Sequence, residues 1–437
     1  MDILQNNNEN ETKTLLSLGG DYSKTNSKII YYGITSYLQA KMSDYVSITG
    51  EPVIFSEKDE KLDKYRGRKL FGIYDVVSLD EALSLYPDAE MWVVYRNPNV
   101  TARRLAEKMD PFKIHFFESD LEYRLGCRFL GHFISYRKDN FSPCCITKQC
   151  PVVKTEGSIK ERLFHWTEYT SGLMNNIKNN KENPCASCPH LKYGFWHSEV
   201  KLDTVSFGTN QPGDVCNYHC VYCFSEKPLE RLKDDTDGFT TYEIIKQLSE
   251  MPEYDTESFN ITLSNGEFCV NKYCDDIFDI LLNTKWKVSF VTNSSVYREK
   301  FAQFLKTGRT TKVLISLDAG TRETYHKVKG LDMFDKVIEN MKRYEYKDVN
   351  FILKYIFLEG INDNEADIDG FLDVVKEVGC GMICLSSDLF KPFTPKMREL
   401  SIRLIKKAKP LGITISNQSS YLCKKDAEFI AKSFEEM

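Results

Sequence analysis

The sequence predicts an α/β chain in which two runs of alternating strand and helix are joined by a cysteine-rich bridge. Three observations carry this. Between Lys28 and Phe117, short β-rich runs (KIIYYGI, PVIF, KLFGIYDVV, MWVVY, KIHFF) alternate with amphipathic stretches such as SLDEALSLY and NVTARRLAEKM, and such alternation implies a parallel sheet. From Glu118 to Val200 the periodicity weakens, while cysteines and aromatics crowd together in SPCCITKQC and NPCASCPHLKYGFW. After Leu202 the alternation resumes. A chain of 437 residues also exceeds one ordinary core, which favours several domains.

The elements follow in order. Residues 1–27, rich in Asn, Glu and Ser, are expected to form a disordered tail. Residues 28–117 form the first α/β domain. There Ser78, ahead of Asp80 and Glu81, reads as a helix N-cap, and Asn99 as another. This stretch resembles the small Rossmann-like nucleotide- or sugar-binding domains that precede some surface-glycan enzymes, although YYGITSY lacks the second and third glycines of a dinucleotide loop. Residues 118–200 are the bridge. In residues 201–392, strands are expected near Thr204–Phe207, Phe259–Leu263, Val288–Thr292, Val313–Ser316, Phe351–Ile356 and Met382–Leu385, each followed by a helical pattern. Six βα units are three quarters of an eight-unit barrel, so the expected fold here is a partial (β/α)6 TIM-type barrel. Residues 393–437 close the chain as a helical extension.

Aliphatic and aromatic residues make up 42% of the chain and charged residues 28%, the balance of a soluble globular protein. A net charge of −5 supplies no basic field, so nucleic acid is not the expected partner. No apolar run of about 18 residues occurs and the N-terminus lacks the order of a secretory signal, so no membrane partner and a cytoplasmic location are expected. Thiols stay reduced there. Fourteen cysteines in tight spacings therefore point to metal or catalysis before disulfides. Cys269, Cys274, Cys380, Cys384 and Cys423 read as buried small hydrophobes.

The tightest spacing is DVCNYHCVYCFSEK, Asp214–Lys227, where Cys216, Cys220 and Cys223 form C-x3-C-x2-C. With 14 cysteines in 437 positions, about 0.014 chance matches to this pattern are expected. A tetrahedral zinc site takes four ligands, usually as close couples. Iron-sulfur clusters also normally take four cysteines, so three on one loop leave one iron of a cubane open.

C-x3-C-x2-C with an aromatic before the last cysteine, just after a first strand, resembles the radical S-adenosylmethionine superfamily. The resemblance implies a [4Fe-4S] cluster held by Cys216, Cys220 and Cys223. Its open iron binds the methionine moiety of S-adenosyl-L-methionine, which is reductively cleaved to a 5′-deoxyadenosyl radical that abstracts hydrogen from substrate. A reductant such as flavodoxin or ferredoxin is implied as partner. Tyr218 and Tyr222 would cover the cluster, and the backbone of Tyr222 would face adenine. Further matches fall at successive strand ends, the face that carries barrel active sites. Asn265-Gly266-Glu267 resembles the G-G-E motif that contacts the cofactor amino group, with Asn265 departing from the usual glycine. Thr292 and Asn293 stand where cofactor-contacting polar groups occur. Ser316 and Asp318 resemble a ribose-contacting segment, and Lys354 lies near the expected adenine edge. The resemblance covers roughly residues 202 to 390.

Upstream, Cys144, Cys145 and Cys150 precede Cys185 and Cys188. Four of these five are expected to make a second site, either an auxiliary [4Fe-4S] cluster or zinc. Adjacent cysteines in extended chain point to opposite sides, so one of Cys144 and Cys145 ligates, Cys145 by preference. Cys127 and His190 are spare candidates. The expected activity is hydrogen abstraction from a small metabolite or a glycan or nucleotide-sugar precursor. A peptide-modifying maturase is the alternative, although it would need a winged-helix recognition domain. A non-catalytic metal-stabilised binding module is the second alternative.

Overall fold

The computed structural model describes residues 27–416 apart from 36–37, 96–97, 118, 138–139, 145–152, 155, 187, 189, 208–214, 224–238, 265, 345–349 and 389–390. The expected N-terminal tail and final helix lie outside the described residues. Strands in chain order are β1 (Ile29–Tyr32), β2 (Ile54–Ser56), β3 (Val76–Val77), β4 (Glu90–Val93), β5 (Ile114–Phe116), β6 (Leu121–Gly126), β7 (Phe133–Arg137), β8 (Asn140–Ser142), β9 (Val153–Lys154), β10 (Lys192–His197), β11 (Thr204–Phe207), β12 (Asn260–Leu263), β13 (Lys287–Thr292), β14 (Thr310–Ser316), β15 (Phe351–Phe357), β16 (Met382–Ser387) and β17 (Thr414–Ser416). The chain divides into two compact units, 1–131 with 169–201, and 132–168 with 202–437. The segment read as a bridge, 118–200, is thus shared between them. Among the described residues no helix is long and apolar enough to cross a membrane.

In the first unit, β1 to β5 form a parallel sheet of order β3-β2-β1-β4-β5. Both faces are covered, so alternate residues enter different cores. Ile30, Tyr32, Ile54, Met91 and Val93 pack with Ala82, Ala102 and Leu105, whereas Tyr31, Phe55 and Trp92 pack with Leu38 and Tyr45. Ser78 caps its helix as expected, accepting from the Glu81 amide at 3.1 Å. Asn99 does not cap. Its helix begins at Pro98, a residue favoured in the first turn, and Asn99 falls inside. Strands β6 and β10 pair antiparallel from Leu121↔His197 to Gly126↔Lys192. Beside that ribbon Leu130, Leu173, Met174 and Ile177 make a small core.

In the second unit one sheet of ten strands runs β17-β16-β15-β14-β13-β12-β11-β7-β8-β9. β7 and β11 to β17 are parallel, while β8 and β9 turn back antiparallel. All six expected strands are present, within a few residues. The sheet extends beyond them at both edges and runs open among the described residues. β7 escaped the sequence reading because FISYR sits in the aperiodic segment with no helix after it. In β11 to β14 burial alternates: Val205, Phe207, Ile261, Leu263, Phe290 and Ile315 are buried on one face, and their neighbours line the other face half-buried.

Helix starts in this unit carry capping chemistry. Thr240 and Glu243 form a reciprocal capping box, and Thr321, Asn364 and Thr394 cap three further helices. The helix Glu365–Glu377 lies backbone to backbone on the turn after β14. A Cβ on Gly320 would overlap the Asp367 carbonyl, and one on Gly370 would overlap the Gly320 carbonyl.

Candidate active site

The cysteine loop, Val215 to Cys223, lies at the carboxyl ends of β12, β13 and β14. At its start the Glu267 amide donates to the Val215 carbonyl at 2.7 Å. That approach requires Gly266, whose φ is +55° and whose Cβ would overlap the same carbonyl. In the middle, Asn217 donates to Ser295 Oγ at 2.9 Å and accepts from Asn293 Nδ2 at 3.0 Å. Farther along, the His219 and Val221 amides donate to the Lys329 and Val328 carbonyls at 3.1 and 3.0 Å. Tyr218 is buried, its hydroxyl 2.9 Å from that of Tyr325. Tyr222 packs on Val328, Ile356 and Leu358 and donates to Asp318 Oδ2 at 2.5 Å.

Cys216 and Cys220 are half-buried and Cys223 is exposed. Burial pushes the Cys216 thiol up to about 11, reinforced by Glu267, Cys220 and Cys223. Burial also raises Cys220, against the opposing pull of Lys329. The thiols sense one another without closing on a common centre: among the described residues no three His, Cys, Asp or Glu side chains form a ready metal cage. The donor set nevertheless fits a thiophilic cluster. Three thiols share one anchored loop, and a cation bound there would offset the burial that raises Cys216 and Cys220.

Asn265 lies outside the described residues. Glu267 is 1% exposed, and its carboxylate accepts from the Asn293 amide at 2.5 Å, the Cys269 amide at 3.2 Å and the Thr292 hydroxyl, 2.8 and 3.0 Å from its two oxygens. Burial raises its pKa, against the hydrogen bonds it accepts. The Asn293 side chain lies 4.0 Å from Cys216 Sγ, and its Oδ1 accepts from the Ser295 amide at 2.9 Å.

Asp318 is fully buried with φ +58°. Its carboxylate accepts from Tyr222, from Lys329 Nζ at 2.6 Å and from the Ile356 amide at 2.9 Å. The expectation that Glu267, Thr292 and Asp318 turn their side chains to a cofactor therefore meets a structure in which those groups are engaged by the protein itself. The reason is depth: a carboxylate this far from water needs donors, and adjacent strand ends supply them. Ser316 is half-buried on β14 opposite Lys354 on β15. Lys354 Nζ lies 6.0 Å from the centre of the Tyr222 ring, and burial depresses its pKa against the pull of Asp318.

Of the second expected set, Cys145 and Cys150 lie outside the described residues. Cys144 follows β8 in the second unit, its carbonyl accepting from Ser142 Oγ at 2.8 Å. Cys185 and Cys188 share a turn in the first unit, with the Cys188 amide donating to the Cys185 carbonyl at 2.9 Å. Cys127 and Cys185 both pack against the Leu130 cluster, and His190 is exposed. Cys269, Cys274, Cys380 and Cys384 are buried as expected, and Cys423 is outside the described residues.

Sequence reasoning missed Asn217, Ser295, Tyr325 and Lys329. The small polar run TNSS at the end of β13 signalled Ser295, and Asn217 lies within the cysteine loop itself. Nothing local marks Lys329, since a lysine in the last turn of a helix is normally solvated.

Residues 210–375 match a family model described as the Radical SAM superfamily. An uncharacterized protein of Methanocaldococcus jannaschii is 29% identical over 163 residues, 37% of this chain and 50% of that one. A probable GTP 3′,8-cyclase of Saccharolobus islandicus is 26% identical over 175 residues, 39% of this chain and 53% of the relative. The chain spans about half the length of the curated relatives it matches. Among solved structures, Streptococcus suis SuiB bound to S-adenosylmethionine aligns over 65% of this chain and 56% of its own, with a TM-score of 0.38 and 11% identity.

Proposed function

The chain is a member of the radical S-adenosylmethionine superfamily, an enzyme whose cofactors are a [4Fe-4S] cluster and S-adenosylmethionine, and from that premise we propose that it abstracts hydrogen from a small metabolite or a glycan or nucleotide-sugar precursor. One observation carries the reading: Cys216, Cys220 and Cys223 lie on a single loop hydrogen-bonded to the carboxyl ends of three adjacent parallel strands. When bound, the cluster and S-adenosylmethionine supply reductive cleavage of the sulfonium and hydrogen abstraction. The three thiols would hold the cluster. Tyr222, Gly266, Asn293, Ser316 and Lys354 would line the cofactor's place, on a partial (β/α)6 curvature of the sheet. Glu267, Thr292 and Asp318 act behind them by fixing the strand ends. Tyr218, buried, helps to exclude water from the loop.

The choice of a small substrate is supported by relatives named for GTP cyclisation and by the parallel β3-β2-β1-β4-β5 sheet of the first unit, an order that suits small-molecule binding. A reductant such as flavodoxin or ferredoxin would serve as electron donor. Cys185 and Cys188, which share a turn in the first unit, would belong to a second metal-binding set. Anaerobically reconstituted protein given dithionite and S-adenosylmethionine should form 5′-deoxyadenosine. Replacing Cys216, Cys220 and Cys223 together with Ala should abolish it. An intact cluster with bound S-adenosylmethionine and no cleavage would overturn the enzymatic reading.

A further inference from the structure

Lys329 has no exposed surface, an unusual place for an ammonium group. Removing such a charge from water is costly unless it is paired and hydrogen-bonded. Here Lys329 Nζ donates to Asp318 Oδ2 at 2.6 Å and to the Tyr222 hydroxyl at 2.7 Å, while that hydroxyl donates to the same carboxylate. The three side chains close a ring. Asp318 is itself held from three sides: its amide donates to the Lys354 carbonyl, its carbonyl accepts from Asn362 Nδ2, and its Oδ1 takes the Ile356 amide. Its left-handed backbone is an uncommon conformation for a residue other than glycine, and these bonds hold it there.

The ring works together with a helix end. The last carbonyls of the helix Arg322–Lys329 have no partner inside the helix, and two of them, from Val328 and Lys329, accept the Val221 and His219 amides. Main-chain bonds therefore fix the loop on both sides of Cys220, and a side-chain bond fixes it at Tyr222, immediately before Cys223. The Cys216 end is held by different groups, Glu267 and Asn293. The loop thus has two separately anchored halves.

We propose that Lys329 is a positioning residue: with Asp318 and Tyr222 it clamps the Cys220–Cys223 half of the loop in place before any metal arrives. The clamp's purpose rests on the reading of this loop as the cluster site, but its existence does not. A preorganised half-loop would present two thiols in register, so that cluster binding has less backbone left to order.

The test is amide hydrogen exchange on the metal-free full chain. In the wild type the His219 and Val221 amides should be protected; exchange at unprotected rates there overturns the clamp without any variant. Lys329→Met should speed exchange at both amides by about tenfold or more, with the Glu267 amide unchanged. The double change Asp318→Asn with Lys329→Met should restore part of the protection, because the neutral amide no longer needs a cation; a volume effect alone would not be rescued this way. Unchanged protection in Lys329→Met, or uniform loss across the sheet with no recovery in the double variant, would also overturn it. After reconstitution, a cluster held by this loop in Lys329→Met should have a more negative midpoint potential than wild type, since Asp318, bonded to Tyr222 next to Cys223, then lacks its cation; an unchanged potential counts against the clamp. Absence of 5′-deoxyadenosine from wild type would sink the enzymatic reading and leave the exchange result standing.

Discussion

Glu57 in the first unit and Glu267 in the second stand in nearly the same surroundings. Each is buried just past the carboxyl end of a parallel strand, and each accepts two main-chain amides and one hydroxyl. For Glu57 these come from Ile34 and Lys58, both at 2.8 Å, and from Tyr95; for Glu267 they come from Asn293, Cys269 and Thr292. The two differ in what leans on them. Beside Glu57 stands the Tyr95 ring with Lys58 and Lys61 Nζ 4.8 and 5.0 Å from its centre. On the Glu267 backbone rests the loop that leads to Cys216. A buried strand-end carboxylate is therefore a joint between strands in both units, and the thiols docked on one of them distinguish the reactive unit.

The largest expected effect breaks the joint in the second unit. Glu267→Ala leaves three buried donors without an acceptor and should cost about 3–5 kcal/mol, read as a lowered unfolding midpoint. Iron uptake on reconstitution should fall with it; full iron content would separate Glu267 from the loop. Glu57→Ala should cost about 2 kcal/mol, less because water can reach the half-buried Tyr95. Its 5′-deoxyadenosine formation should match wild type, and a comparable loss of cleavage would erase the distinction between the units. Thr292→Val removes only the hydroxyl that donates to Glu267 and accepts from the Ser294 amide at 3.0 Å, for about 1–2 kcal/mol.

The smallest effect is a pH response confined to the first unit. Burial, the largest influence on Asp120, would raise its carboxyl, yet the bonds from His197 and the Glu199 amide together bring it down to about 2 from 3.8. A depressed carboxyl contributes stability above its unfolded value and loses it as pH falls through the folded one. About 1 kcal/mol should thus disappear between roughly pH 4 and pH 2, and Asp120→Asn should flatten that limb in a denaturation series. Glu267, raised by burial, has the opposite sign: its contribution is present below its ordinary value of 4.5 and lost as pH rises.

Strands β11 to β16 were legible because each couples an apolar run to a helical pattern, and the cysteine loop was legible because its spacing is improbable by chance. Gly266 was readable as part of a motif, although its reason, room for the Val215 carbonyl, exists only in three dimensions. Lys329 was not legible at all. Its partners come from the loop before Cys223 and the end of β14, and no local pattern ties those segments together. The same holds for Glu57, where the acid at the end of β2 could be read but Tyr95 across the sheet could not. Thr292 and Asp318 were read at strand ends as cofactor contacts, while their burial and their partners within the protein were not legible, because sequence reports position along a strand and not depth below the surface.

A side chain on Gly370 would need the space of the Gly320 main chain, and one on Gly320 would need the space of the Asp367 and Phe371 main chain. Genetic suppression usually works by shrinking a neighbour to accommodate an enlarged residue, but here every obstructing atom is main chain, which no substitution can shrink. No second-site change of side chain can make room for a larger residue at either position. Drift at the two codons is therefore blocked, and the contact between the Glu365–Glu377 helix and the turn that carries Asp318 should vary little over evolutionary time.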